Sequence, residues 1–125
     1  MNAKLISEIA ALAARNVRTS ERQGTDMTVY AIVQLKITDR AAYDRYQARF
    51  FGVFKKFSGR LLSADESPAL LEGAWDRDRL VLMSFPDEAA FHAWANSPEY
   101  LEISKDRKAG AEGIVLLAKG FAAGG

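Results

Sequence analysis

Residues 28–37, TVYAIVQLKI, alternate with a period of two. Val29, Ala31, Val33, Leu35 and Ile37 fall on one side and Tyr30, Ile32, Gln34 and Lys36 on the other, which predicts a strand. Both sides carry apolar residues, so both are expected to be covered, one of them by a partner subunit. The period then changes. After a Thr38-Asp39 cap, Tyr43, Tyr46, Phe50, Val53, Phe54 and Phe57 recur at helical spacing, with Arg45, Arg49 and Lys56 on a different side. Gly59 suits the chain reversal that ends this helix.

Two extended segments follow, 60–66 and 69–76, broken near Ser67-Pro68, and Asp76-Arg77-Asp78 signals a turn. Residues 79–85, RLVLMSF, are apolar enough for a central strand. Pro86-Asp87-Glu88 opens a second helix. Asn96-Ser97-Pro98-Glu99 interrupts it, and Ser97 as cap with Pro98 in the first turn restarts it toward Gly110. Residues 113–121, GIVLLAKGF, supply the last strand, and 122–125 form a small flexible tail. The order β-α-β-β-α-β predicts an α+β, ferredoxin-like fold: an antiparallel sheet with helices on one face. The other sheet face is too apolar for water, and a second sheet from a homodimer is the simplest cover.

Ahead of this domain, residues 2–18 carry Leu5, Ile6, Ile9, Leu12, Ala13 and Val17 near one face, which predicts an extra amphipathic helix. Polar residues 19–26 read as a linker. The chain thus divides into a helical arm with linker (1–26), a domain (27–121) and a tail (122–125). Either Met27 is the natural start and the arm an upstream extension, or the arm docks on a partner, since a helix of this length is marginal alone.

The 125 residues include no cysteine and one histidine. Disulfide scaffolds, zinc and iron–sulfur sites and Cys nucleophiles are excluded, and no metal or cofactor is expected. Lys+Arg is 17 and Asp+Glu 16, a near-neutral balance that argues against a dedicated nucleic-acid binder. Residues 40–60 nevertheless carry a balance of +5, from six basic groups against Asp44. Residues 61–88 carry −5, from Arg77 and Arg79 against seven carboxylates. No apolar run is long enough to span a membrane, and Glu8 interrupts the one stretch that resembles a signal peptide, so a cytoplasmic protein is expected.

Thr38-Asp39 with Tyr43 and Tyr46, Gly59-Arg60, Glu72-Gly73 with Trp75, Arg79 with Phe85-Pro86, Trp94 with Ser97-Pro98-Glu99-Tyr100, and Arg107 form a recognisable set. With them, residues 30–121 resemble the small bacterial proteins of domain-of-unknown-function family 1330, in the dimeric α/β-barrel superfamily. The resemblance implies the same ferredoxin-like dimer and no established activity. Two positions depart from the family's habit. Ser58 replaces the first of a glycine pair, and Ser84 replaces a glutamate in the third strand, so a catalytic role for that glutamate does not transfer.

Candidate chemistry is restricted to Arg, Tyr, Trp, Glu and the single His. Tyr100, Ser104, Arg107 and Ala111 share one helical stripe, and an inward arginine is costly unless paired. Arg107 either holds a carboxylate or phosphate ligand beside the Tyr100 hydroxyl, or forms a structural ion pair with Glu72. Glu72 is alternatively a general base whose pKa is raised by burial. His92 is a proton shuttle, a haem ligand, or simply a surface residue, because the helical wheel sets it off the stripe of Ala90, Phe91 and Trp94. Tyr43, Tyr46, Trp75 and Trp94 either line a flat-ligand pocket or fill core. Arg60 and Arg79 each begin a strand, as pocket-rim anion contacts or exposed charges. Two functions follow. One is a homodimer that binds or transforms a small acidic or aromatic metabolite between helices and sheet, by cofactor-free isomerase, proton-transfer or monooxygenase-type chemistry if it is an enzyme. The other is a non-enzymatic assembly module with no open pocket. Neither involves nucleic acid or membrane.

Overall fold

The first strand, β1, runs from Val29 to Ile37, where the alternation places it. The structure, a computed structural model, describes residues 27–121. The expected helix over 2–18, its linker and the tail lie outside the described residues. Asp39 caps α1 (Arg40–Phe54), its carboxylate accepting from the Ala42 amide at 3.3 Å. Strands β2 (Arg60–Asp65) and β3 (Arg79–Phe85) follow, then α2 (Glu88–Ala95), α3 (Pro98–Gly110) and β4 (Ala111–Lys119). Asp87 caps α2 by accepting from the Ala90 amide at 2.7 Å. Ser97 caps α3 through the Tyr100 amide at 3.1 Å, with Pro98 in the first turn, where a missing N–H costs nothing.

The four strands form one antiparallel sheet in the order β2-β3-β1-β4. This is the split β-α-β arrangement of a ferredoxin-like α+β fold, with the second helical segment divided in two. No helix among the described residues is long and apolar enough to cross a membrane.

Two local expectations need correction. Residues 69–76 do not form a strand. They belong to an irregular stretch between β2 and β3, in which Leu70 is 57% and Leu71 72% exposed. Pro68 has no N–H to donate, and Gly73 takes a left-handed φ of 88°, which breaks a pleat. Both edges of β3 are already occupied, by β2 and β1, so no partner strand remains there. The stretch is pinned instead by Asp78, whose amide donates to the Leu35 carbonyl at 2.7 Å and whose carboxylate accepts from the Ile37 amide at 2.7 Å.

The second correction concerns Gly59. The helix ends at Phe54 and one tight turn follows, with the Lys56 amide donating to Val53 and the Phe57 amide to Phe54. Gly59 is needed for space rather than for reversal: a Cβ there would lie 2.5 Å from the Phe85 ring and 2.7 Å from the Phe54 ring. Those rings belong to the core between helices and sheet. Phe54 and Phe85 both pack on Trp94, at centroid distances of 5.4 and 5.5 Å, and Trp94 meets Tyr100 at 4.2 Å. Each such pair adds about 0.5–1.5 kcal/mol beyond area burial. The opposite sheet face carries a smaller cluster, Tyr30 and Leu82 with Ile32 beside them.

Candidate functional site

A cleft of about 410 Å³ opens between the helices and the sheet. Its floor is the inward side of β1, Ala31, Val33 and Leu35, with Val81 and Met83 of β3. Tyr43, Tyr46 and Phe50 of α1 make one wall. Trp94 of α2, with Tyr100, Ser104 and Arg107 of α3, makes the other. The predicted stripe of α3 therefore faces inward as one unit, because spacings of three and four keep residues on one helical face.

The polar groups in this apolar setting are few. The hydroxyls of Tyr46 and Tyr100 lie 3.1 Å apart and buried. One hydroxyl donates to the other, which leaves one hydrogen over for a further acceptor. Burial pushes Tyr46 well above the ordinary tyrosine value of 10.0, the adjacent Tyr100 adds to the rise, and Arg107 opposes it. Tyr46 is therefore a neutral donor near pH 7 and not a base. Burial also raises Tyr43, against the nearby positive charge of Arg79.

Arg107 reaches over β4, where Gly113 makes room for it: a Cβ at Gly113 would lie 3.3 Å from Arg107 Nη1 and 3.1 Å from Leu35. Its Nε is buried and has no hydrogen-bond acceptor. Arg79 also lines the cleft, with its side chain only 13% exposed. Its Nη1 lies 3.2 Å from Glu66 Oε1, and Arg40 meets the same oxygen at 2.8 Å. The Arg79 guanidinium carbon is 5.8 Å from the Tyr43 ring centroid, and the Arg79 Nε, like that of Arg107, is buried without an acceptor. Among the described residues no Asp, Glu or His lines the cleft. Among the described residues no three metal-ligating side chains gather into one group.

Of the residues singled out from sequence, Tyr43, Tyr46, Arg79, Trp94, Tyr100 and Arg107 meet in this cleft. The other four do not. Arg60 pairs in register with Ser84, and Ser84 with Tyr30, so Arg60 stands on the opposite sheet face. Trp75 reaches that face too, donating from Nε1 to Gln34 Oε1 at 3.1 Å. Glu72 lies exposed in the irregular stretch after β2, away from Arg107, and the expected ion pair between them does not form. His92 is exposed on α2, its ring 5.2 Å from that of Phe91. Neither proton-transfer candidate therefore borders the cleft. The inference for Glu72 failed because it presupposed a strand that does not exist. Glu66 and Gly113 went unnoticed. Glu66 was hidden inside an expected strand, and nothing in the sequence marks Gly113 as the residue beneath an arginine.

The family model described as "Domain of unknown function (DUF1330)" matches residues 28–121. Among solved structures, the RPA0582 protein of unknown function from Rhodopseudomonas palustris is similar at a TM-score of 0.66 and 20% identity, over 86% of this chain and 93% of that one. SnoaB from Streptomyces nogalater, a cofactor-independent oxygenase, is similar at 0.53 and 19%, over 79% and 94%. HapK from Hahella chejuensis is similar at 0.54 and 16%, over 78% and 96%. No curated protein matches significantly. At these identities the likeness establishes the shared α+β fold and nothing of the chemistry.

Proposed function

The chain belongs to the DUF1330 family, and we propose that it binds a small anionic aromatic molecule in the cleft between helices and sheet, with Arg107 as the anchor. One observation carries this reading: the buried Arg107 Nε has no acceptor. A buried donor left unmade costs about 1–3 kcal/mol, and a carboxylate or phenolate oxygen entering the cleft recovers that cost with a charge-assisted bond. The walls agree with an aromatic body, since Tyr46, Phe50 and Trp94 offer ring faces and edges. The volume falls in the range of small-molecule sites.

The same inventory bounds any reaction. Among the described residues the lining supplies cations and hydroxyl donors and no carboxylate or imidazole base. Such a site stabilises negative charge developing on a substrate oxygen and leaves proton removal to an already acidic substrate. SnoaB's description as a cofactor-independent oxygenase supports cofactor-free chemistry of this general kind on the shared fold. The open cleft counts against the reading of the protein as an assembly module alone.

The second part of the proposal is a homodimer through the other sheet face. Ile114 and Leu116 remain 40% and 49% exposed there, beside the buried Tyr30 and Leu82. Native mass spectrometry of the freshly purified protein reports subunit count and retained ligand together. Replacing Arg107 by Met tests the anchor. Benzoate, the simplest aromatic carboxylate, is expected to bind the variant at least tenfold more weakly by calorimetry, with the fold intact. Unchanged affinity removes Arg107 from the role.

A further inference from the structure

Arg79 and Arg107 occupy the two sides of a single rung of the sheet. Arg79 of β3 is in register with Leu35 of β1, and Leu35 with Gly113 of β4, over which the Arg107 guanidinium lies. The Arg79 backbone and Gly113, above which Arg107 reaches down from α3, are thus two strand spacings apart, about 10 Å. Leu35 lies between them on the cleft floor. Each guanidinium has a buried Nε without an acceptor. The two sides differ in one respect. Arg107 makes no salt bridge among the described residues, whereas Arg79 is held at its outer nitrogen by Glu66. Glu66 is 44% exposed and shared with the still more exposed Arg40. It reaches Arg79 from the segment beyond β2 and is absent from the cleft lining.

From this arrangement we infer that the cleft takes a dianion, an aromatic or planar acid with two acidic groups at opposite ends, one on Arg107 and the other on Arg79 beside Tyr43. The inference rests on the Arg107-anchored reading above and extends it to the ligand's second charge. The apolar floor between the arginines supports the ring system, and two fixed cations on one rung set the spacing of the acids. Glu66 keeps Arg79 oriented while the cleft is empty and yields part of it when the second acid arrives. The two arginines facing one cleft repel each other, with the exposed Lys108 adding positive charge at its edge, and a monoanion compensates only part of this. The gain from the second acid is largest in a low-dielectric setting, and the floor residues Ala31, Val33 and Leu35 are buried and apolar.

Calorimetry with benzoate and with naphthalene-2,6-dicarboxylate tests this on the full chain. Against the wild type, the dicarboxylate is expected to bind at least tenfold more tightly. Arg79→Met should erase that preference, weakening the dicarboxylate at least tenfold and benzoate by much less, while Arg107→Met weakens both probes. Glu66→Gln, an exposed and nearly isosteric change, should strengthen the dicarboxylate two- to fivefold and leave benzoate unchanged. The dianion inference is overturned if the wild type shows no preference, if Arg79→Met weakens both probes equally, or if Glu66→Gln leaves dicarboxylate affinity unaltered. The last arm decides the matter should Arg79→Met fail to fold. The underlying reading falls with the inference if neither acid binds the wild type. It also falls if Arg107→Met binds benzoate as well as the wild type does.

Discussion

The two faces of the sheet are made by alternate residues of the same strands, and they differ in what lies over them. On one face, α1, α2 and α3 cover the strands and enclose an aromatic core with a cleft beside it. On the other, Tyr30 and Leu82 are buried while Leu116 and Ile114 remain partly open to solvent. Polar groups follow the same division. The helix-covered face gathers Arg79, Arg107 and the Tyr46–Tyr100 hydroxyl pair within low-dielectric walls, where a hydrogen bond or a charge counts for more than in water. The open face holds Arg60 and the Trp75–Gln34 contact at its surface. Concave geometry, rather than residue type, separates Arg79 and Arg107, which line the cleft, from Arg60, which does not.

Truncation to alanine on the two faces gives the largest contrast. Phe54→Ala removes a 3% exposed ring from the core and is expected to lower stability by about 3–5 kcal/mol in urea denaturation. Leu116→Ala removes a half-exposed side chain and is expected to cost about 1 kcal/mol at low protein concentration. If a second copy covers that face, the Leu116→Ala cost grows with protein concentration, because association then contributes to stability. A cost independent of concentration breaks the dimer half of the comparison.

Alkaline pH sharpens the contrast at the level of the buried hydroxyls. Tyr46 and Tyr43 both stand above 10.0 in the folded chain through burial. Their contribution is fully present below pH 10, where folded and unfolded forms are both protonated. As pH rises past 10 the unfolded phenols ionise first, so the unfolded state gains and stability falls through the folded pKa. Denaturation midpoints measured above pH 10 are expected to decline, and Tyr46→Phe should flatten part of the decline. An identical slope in that variant would mean that Tyr46 titrates as an exposed phenol.

The smallest effect is at Gly113. An alanine there sits 3.3 Å from Arg107 Nη1 and 3.1 Å from Leu35, so the guanidinium must shift by a few tenths of an ångström. Stability should change by no more than about 1 kcal/mol. Benzoate affinity is expected to fall two- to threefold by calorimetry, and an unaltered affinity would detach Gly113 from the placement of Arg107.

Much of this architecture was legible in residue order. Period-two alternation placed β1 within a residue, the Asp39 and Ser97 caps started their helices where predicted, and α2 opened at the expected Pro86-Asp87-Glu88, with Asp87 as its cap rather than a first-turn acid. The stripe of Tyr100, Ser104 and Arg107 pointed inward because three- and four-residue spacings are a local property of any helix. These features depend on neighbours a few residues away, which a sequence displays directly. Tertiary structure alone decided the rest. Glu66 became the partner of Arg79, and Glu72 did not become that of Arg107, because ion pairs across the fold depend on where a connecting segment runs. Trp75 went to the open face for the same reason, since the irregular stretch carrying it has no period to orient it. Arg79 came into line with Gly113, and so with the Arg107 guanidinium above it, only through the pairing of β3 and β4 on either side of Leu35 and the packing of α3 over β4. Strand order and register are set by packing of the whole sheet, and no local pattern records them.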